Sequence, residues 1–275
     1  VNVRLLRLLF LLGLVALGWH LIHRGESPPV LLTPAMDAQR LLHPSLGTRL
    51  TNLLHEAAGR RDAARPRLIA LTFDDGPYPL LTPLLLARLR DEHVQATFFL
   101  IGRDVEQQPE LTRRTLSEGF EVADHTLTHP YLDALPARDV AAELLGGSRV
   151  LAAYTHAASA RHFMRPPHGR YTARTIQIAQ SLGYTTVLWS DDPGDWRDIT
   201  PDDLVKHVLT HATAPEILLL HSGRLGTILA LDRLIPSFRA AGFEFVTVSE
   251  LLRRETTASL NRPVRLTLST PSSSL

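Results

Sequence analysis

Leu68-Ile69-Ala70-Leu71-Thr72-Phe73-Asp74-Asp75-Gly76-Pro77 decides the architecture of this chain. The run from Leu68 to Phe73 reads as a short strand. A doubly wound nucleotide binder carries a glycine-rich turn after its first strand, whereas this one ends on Asp-Asp-Gly-Pro. Further apolar, β-rich runs follow at Ala96–Ile101, Phe120–Ala123, His162–Met164, Thr185–Trp189, Ile217–Leu220 and Phe243–Val248. Segments of helical period lie between them, at Thr82–Glu92, Pro109–Glu118, Ala137–Ala157, Thr172–Leu182, Pro201–Ala212 and Leu229–Ala241. Gly119, Gly183 and Gly242 stand just past three of those helices, where a left-handed cap favours glycine. Repeated β-then-α units give parallel strands joined by right-handed crossovers. The fold class is therefore α/β, an incomplete (β/α) barrel of about seven parallel strands being favoured over a doubly wound sheet.

The 275 residues suit one large α/β domain or two small ones, and 44% hydrophobic with 21% charged content excludes wholesale disorder. With 29 basic and 28 acidic residues there is no basic stripe, so no nucleic-acid partner is expected, and no protein partner is implied. The absence of cysteine excludes disulfides, thiolate metal sites and thiol nucleophiles. Upstream of the barrel, Arg4 and Arg7 precede an apolar run from Leu8 to Ile22, broken only by His20. Residues 1–24 read as a signal anchor or a signal peptide, which makes the membrane an expected partner. The expected location is exported: anchored in the inner membrane and facing the periplasm or extracytoplasmic space, alternatively secreted. Pro28, Pro29, Pro34 and Pro44 mark residues 25–65 as a stem, the barrel domain takes 66–255, and 256–275 form a Ser/Thr-rich tail.

The ionisable residues collect at strand ends. Asp74 and Asp75 follow the first strand, His125 and His129 the third, Arg165 ends the fourth, Asp192 and Asp195 follow the fifth, and His221 ends the sixth. In a parallel barrel all of these fall on the C-terminal rim, where active sites are built. His125 and His129, four residues apart, are spaced to aim two imidazoles at one ion. A carboxylate from Asp74 or Asp75 would complete a face of two histidines and one acid with open positions. Nitrogen and oxygen donors without sulfur suit one divalent metal, Zn²⁺ first, with Co²⁺, Mn²⁺ or Fe²⁺ also compatible. Adjacent acids push their pKa values apart, so an acid held by a metal leaves its neighbour free to act as a base. The bland readings are a polar turn for Asp74-Asp75, a bare turn at Asp192-Pro193-Gly194 with Asp195 starting a helix, and core packing for Trp189, Phe98 and Phe99. The other nine of the thirteen histidines that are neither His125, His129, His168 nor His221 default to structural or solvated roles. No Gly-x-Ser-x-Gly elbow supports a serine hydrolase.

Five segments occur in order: Thr72-Phe73-Asp74-Asp75-Gly76-Pro77, His125-Thr126-Leu127-Thr128-His129-Pro130, Arg165-Pro166-Pro167-His168-Gly169, Asp192-Pro193-Gly194-Asp195-Trp196 and Leu219-Leu220-His221-Ser222. Over roughly Arg67 to Arg254 the chain resembles the polysaccharide deacetylase family, carbohydrate esterase family 4, also called the NodB-homology domain. The resemblance implies a metal-dependent hydrolase that removes N-acetyl groups from an amino-sugar-containing envelope or extracellular polysaccharide, such as peptidoglycan or chitin oligomers. It implies Asp75, His125 and His129 as metal ligands and Asp74 as general base, with Arg165 orienting Asp74. His221 becomes the general acid, Asp195 the carboxylate that positions its ring, and Trp196 and Leu219 the walls of the acetyl pocket. His168 stands where the family has tyrosine and lines the rim, Asp124 where asparagine is common, and Ser222 where aspartate is frequent. Asp124 reads either as an acid that tunes the metal or as a cap for its loop. The alternatives are a deformylase or deacetylase of a lipid-linked sugar, an O-acetyl esterase on a xylan-like glycan, and a catalytically silent carbohydrate-binding module.

Overall fold

Alternation along one strand separates two cores. The computed structural model describes residues 66–155 and 163–260. On β1 (Arg67–Asp74), Leu68 and Ala70 join Phe99, Ala123, Phe163, Val187, Val246, Val248 and Leu251 in the barrel interior. Ile69, Leu71 and Phe73 face the other way, onto Leu85, Leu86 and Leu89 of α1 (Leu81–Asp91) and Leu231, Leu234, Ile235 and Phe238 of α7 (Leu225–Ala240). Each such buried side chain contributes about 1.5–3 kcal/mol, so the inward–outward register of β1 is firmly set. Thr72 and Asp74 continue the inward row and bring it to the C-terminal rim.

Between β1 and α7 the chain forms β2 (Ala96–Leu100), α2 (Gly102–Gln107), α3 (Pro109–Ser117), β3 (Glu121–Asp124), α4 (Ala137–Ala152), β4 (Phe163–Met164), α5 (Ala173–Ser181), β5 (Thr185–Thr186), α6 (Pro201–His211) and β6 (Glu216–His221). After α7 come β7 (Phe243–Phe245) and α8 (Val248–Leu260). All strand pairs are parallel, in the order β5-β4-β3-β2-β1-β6, with β7 on the first residues of β1. No ladder joins β5 to β6. The seam is crossed instead by an isolated bridge between Asp191 and Leu218, which gives the curled, incomplete barrel that the pattern implies. Gly119, Gly183 and Gly242 take the left-handed conformation at their helix ends.

Four elements differ from expectation. β5 stops at Thr186 instead of running to Trp189, because the carbonyls of Val187 and Leu188 turn to accept from Arg165. The last strand stops at Phe245, and Thr247 instead caps α8 by accepting from the Glu250 N–H at 3.2 Å. α8 runs past Thr256 to Leu260, and the six-residue α2 had no expectation at all. The segments read as anchor and stem, and the tail beyond residue 260, lie outside the described residues. Among the described residues no helix is long and apolar enough to cross a membrane.

Candidate active site

Register assembles the site. Asp74 lies level with His221 on β6 and Phe99 on β2, Leu100 with Asp124 on β3, and Asp124 with Met164 on β4. Asp75, His125 and Arg165, each one residue further on, therefore emerge together on the C-terminal rim.

Arg165 is fully buried and ties the rim together. Its Nη1 donates to Asp74 Oδ1 at 2.7 Å and to Thr72 Oγ1 at 2.8 Å, while Nε and Nη2 donate to the Val187 and Leu188 carbonyls at 3.3 Å. Its guanidinium lies 4.1 Å from the centroid of the Phe99 ring. A buried ion pair is tolerable when its remaining hydrogen-bonding capacity is met, and here the fork is matched at each nitrogen. Burial pushes the Asp74 carboxyl above the usual carboxylate range, against the opposing pull of Arg165 and His221. Ser222 secures the neighbouring backbone, its Oγ donating toward the carbonyls of Asp74 and Asp75, each at 3.0 Å.

The His125–His129 loop is held from three sides. Asp124 Oδ1 accepts from the Thr126 N–H at 2.7 Å, and its Oδ2 accepts from the Tyr184 hydroxyl at 2.8 Å. Asp124 is thus a loop cap, and burial pushes its carboxyl up to about 7. Glu143 on α4 accepts from the Thr128 N–H and hydroxyl, both at 2.8 Å. The Thr126 and Leu127 carbonyls accept from the N–H groups of Gly102 and Arg103 at the start of α2, each at 2.9 Å. α4 comes this close only because Gly147 lacks a β carbon, which would lie 2.2 Å from Asp124 Oδ1. Among the described residues five non-glycines have positive φ, and Asp75, Thr126, His129 and His168 are four of them. Such strain is held only where surrounding contacts over-determine it, and it concentrates at functional sites.

These residues fit a divalent cation. One donor atom each from Asp75, His125 and His129 lies within 4.8 Å of the others. Asp75 Oδ1 is 3.3 Å from His129 Nε2 and 3.7 Å from His125 Nε2, yet it is buried with no hydrogen-bond partner. His125 Nδ1 lies 2.9 Å from the Arg165 carbonyl, and because a carbonyl only accepts, Nδ1 carries the proton and Nε2 keeps its lone pair. Burial lowers the pKa of both histidines, that of His125 to about 3, so both offer neutral nitrogen donors.

Across the rim, Asp195 is not the start of a helix. Its buried carboxylate accepts from His221 Nδ1 at 2.7 Å on Oδ1, and from the His221 N–H at 2.8 Å and the Thr227 hydroxyl at 2.6 Å on Oδ2. Burial disfavours the charged imidazole, but the bond and charge of Asp195, with Asp74 and Asp75 behind it, prevail and raise the His221 pKa above the ordinary value. Asp192 makes a turn by accepting from the Gly194 N–H at 2.9 Å. Leu219 is buried two residues before His221, and Trp196 is exposed with the Arg197 guanidinium 4.4 Å from its ring centroid. His168 sits with its ring edge-on to His129 at 4.3 Å. Trp189 is half-buried against Gly169 rather than in the core, and Phe99 packs on Arg165 rather than on apolar neighbours alone. The residues that sequence reasoning missed are mostly supports: Thr72, Glu143, Gly147, Tyr184 and Thr227. Two left a trace, a threonine inside an apolar strand and a Gly146-Gly147 pair inside a helical segment.

A family model described as polysaccharide deacetylase matches residues 61–187. A peptidoglycan-N-acetylglucosamine deacetylase of Bacillus cereus is 38% identical over 192 residues, covering 68% of this chain and 89% of that protein. A chitooligosaccharide deacetylase of Bradyrhizobium is 39% identical over 204 residues, covering 69% and 93%. Among solved structures, the peptidoglycan deacetylase PdaC from Bacillus subtilis superposes with a TM-score of 0.65 at 29% identity, over 71% of this chain and 94% of that one.

Proposed function

This chain belongs to the polysaccharide deacetylase family, carbohydrate esterase family 4, and from that premise we propose that it hydrolyses the N-acetyl groups of an amino-sugar polymer of the peptidoglycan or chitin-oligomer kind. The observation that carries the reading is the set gathered on one rim: a donor triad with an orphaned carboxylate oxygen, a buried Asp74–Arg165 pair, and a carboxylate-held His221.

Asp75, His125 and His129 would hold one divalent cation, which we assign as Zn²⁺ from the nitrogen and oxygen donors. When bound, it supplies Lewis acidity, polarising the acetyl carbonyl and easing the ionisation of water near neutral pH. Asp74 is the base. Arg165 occupies Oδ1 and fixes the carboxylate, and the upward shift from burial brings its basicity closer to neutrality, where a general base works best. It takes the proton of the attacking water as the new C–O bond forms. By the family resemblance, His168 would offer its backbone N–H to the developing oxyanion, and Trp196 and Leu219 would wall the acetyl methyl. His221, protonated through its pairing with Asp195, gives its Nε2 proton to the departing nitrogen as the C–N bond breaks, leaving acetate and a free amine. We place this chemistry outside the cytoplasm, membrane-tethered or secreted; the support is the Arg4 and Arg7 charges ahead of Leu8–Ile22.

The test is product analysis on parallel substrates: chitin oligomers, peptidoglycan fragments, acetylated xylan and a lipid-linked N-acyl amino sugar. Stoichiometric acetate and free amine from an oligomeric amino sugar supports the reading. Turnover confined to xylan or to the lipid-linked sugar overturns the substrate class, and bound metal with no turnover of any of the four overturns the reaction.

A further inference from the structure

We infer that His207 on α6 is a positioning residue for the acid: by clasping Asp191 it holds the barrel seam shut at the root of the loop from which Asp195 reaches His221. The inference deepens the deacetylase reading, and its effect on turnover rests on that reading.

The seam between β5 and β6 has no ladder, and a short stretch of backbone closes it. The Ser190 N–H donates to the Ile217 carbonyl at 2.9 Å, the Leu219 N–H donates to the Asp191 carbonyl at 3.0 Å, and the Ile217 N–H donates to Ser190 Oγ at 2.9 Å. The Asp191 N–H is 3.5 Å from the Ile217 carbonyl, too long to add much. What this join holds in place lies on the acid side of the site. Asp195 follows Asp191 after the Asp192–Gly194 turn, and Leu219 stands two residues before His221.

A join this thin leans on side chains. Asp191 Oδ1 lies 3.0 Å from His207 Nε2, and because a carboxylate only accepts, Nε2 carries the proton. Asp191 Oδ2 is buried with no hydrogen-bond partner, so among the described residues His207 alone holds this carboxylate. The histidine is itself a fixed point. α6 packs Leu204, Val205, Val208 and Leu209 into the core beneath it, and Thr200 caps its start by accepting from the Asp203 N–H at 3.1 Å. Glu216 ties down the loop that follows by accepting from the Thr213 N–H at 2.6 Å. The His211 ring lies 4.3 Å from that of His207, and its Nδ1 donates to the His207 carbonyl at 2.8 Å. Removing the imidazole leaves a largely buried carboxylate with no donor. A charge so placed turns toward water, and it pulls the Asp191 backbone, with Leu219 and Asp195 behind it, out of register. Arg224 holds the far end of the loop, its Nη2 donating to the Trp196 carbonyl, but that guanidinium is exposed. The inner end depends on His207.

The experiment reads the full zinc-loaded chain in two ways. One is the low-field Nδ1–H resonance of His221 in the proton NMR spectrum, identified by its absence from His221→Ala. The other is kcat and KM for acetate release from the N-acetylglucosamine tetramer. His207→Leu is expected to lose the resonance to exchange with water and to lower kcat about tenfold with KM unchanged, as a small misplacement of a reacting group does. His207→Gln, whose amide presents a donor to Asp191, should keep both. Added to His221→Ala, His207→Leu should cost nothing more. Where leucine alone unfolds the chain, Asp191→Ala with His207→Leu leaves no charge unpaired and should fold, still without the resonance. An unchanged resonance in either leucine variant, a glutamine variant that falls as far as leucine, a loss carried by KM alone, or a loss that persists in full beside His221→Ala overturns the clasp. The resonance needs no turnover. Its loss in leucine and retention in glutamine, beside an unmodified chain that releases no acetate, removes the reaction and leaves the clasp standing.

Discussion

Replacing Asp195 with asparagine separates positioning from packing at the acid side of the site. The buried carboxylate accepts three hydrogen bonds, from His221 Nδ1, the His221 N–H and the Thr227 hydroxyl. Asparagine with its oxygen toward Nδ1 turns an amino group toward the other two donors. The Thr227 hydroxyl can rotate to accept, but the His221 N–H is left unsatisfied, at a stability cost of about 1–3 kcal/mol. The lost charge matters more for turnover. A hydrogen bond to a charged partner is worth about 1.5–3 kcal/mol, so kcat/KM at neutral pH should fall about 10–100-fold. The pH profile carries the sign. Asp195 raises the His221 pKa, so the protonated acid persists to higher pH and activity is lost only as pH rises through that raised value. Without the charge, the alkaline fall should begin at lower pH. The assay is acetate release from a chitin oligomer at saturating zinc, followed across pH for Asp195→Asn, His221→Ala and the pair. If Asp195 acts through His221, the double variant is no worse than His221→Ala. An unmoved alkaline limb, or lesions that multiply, would refute the coupling.

Other outcomes follow from the same geometry. Asp74→Asn should keep full zinc content while kcat drops by about 10²–10⁴-fold, and metal loss in that variant would merge the roles of base and ligand. His125→Ala should fail to retain zinc through dialysis, whereas full zinc content would remove His125 from the donor set. Arg165→Met leaves the Asp74 carboxylate buried and unpaired, so unfolding in urea should show about 3–5 kcal/mol less stability at neutral pH. Part of that loss should be recovered in acid, where Asp74 protonates, and a pH-independent loss would contradict the ion-pair account.

Much of the fold was legible because the barrel reports itself twice, once in the alternation along β1 and once in charges that stop each strand at the same rim. Asp74, Arg165 and His221 end or follow apolar runs, and β registry then brings them together without further instruction. What stayed hidden depends on contacts distant in sequence. β5 ends early because Arg165, 22 residues before it, claims the Val187 carbonyl, and nothing in Thr185–Trp189 reveals that claim. Asp195 could pass locally for a helix start, and only the family resemblance paired it with His221, because its donors lie 26 and 32 residues away. α2, with Gly102-Arg103-Asp104-Val105-Glu106-Gln107, is too short to show an amphipathic period.

The central claim is that one cation held by Asp75, His125 and His129 works with Asp74 as base to release acetate from an amino sugar. It is tested most directly by stripping the full chain of metal, returning one equivalent of zinc, and following acetate release from the N-acetylglucosamine tetramer beside an Asp74→Asn control. The account predicts no release when stripped, release restored by zinc, and none from the zinc-loaded control. Release that persists without metal, or that the control matches, would contradict it.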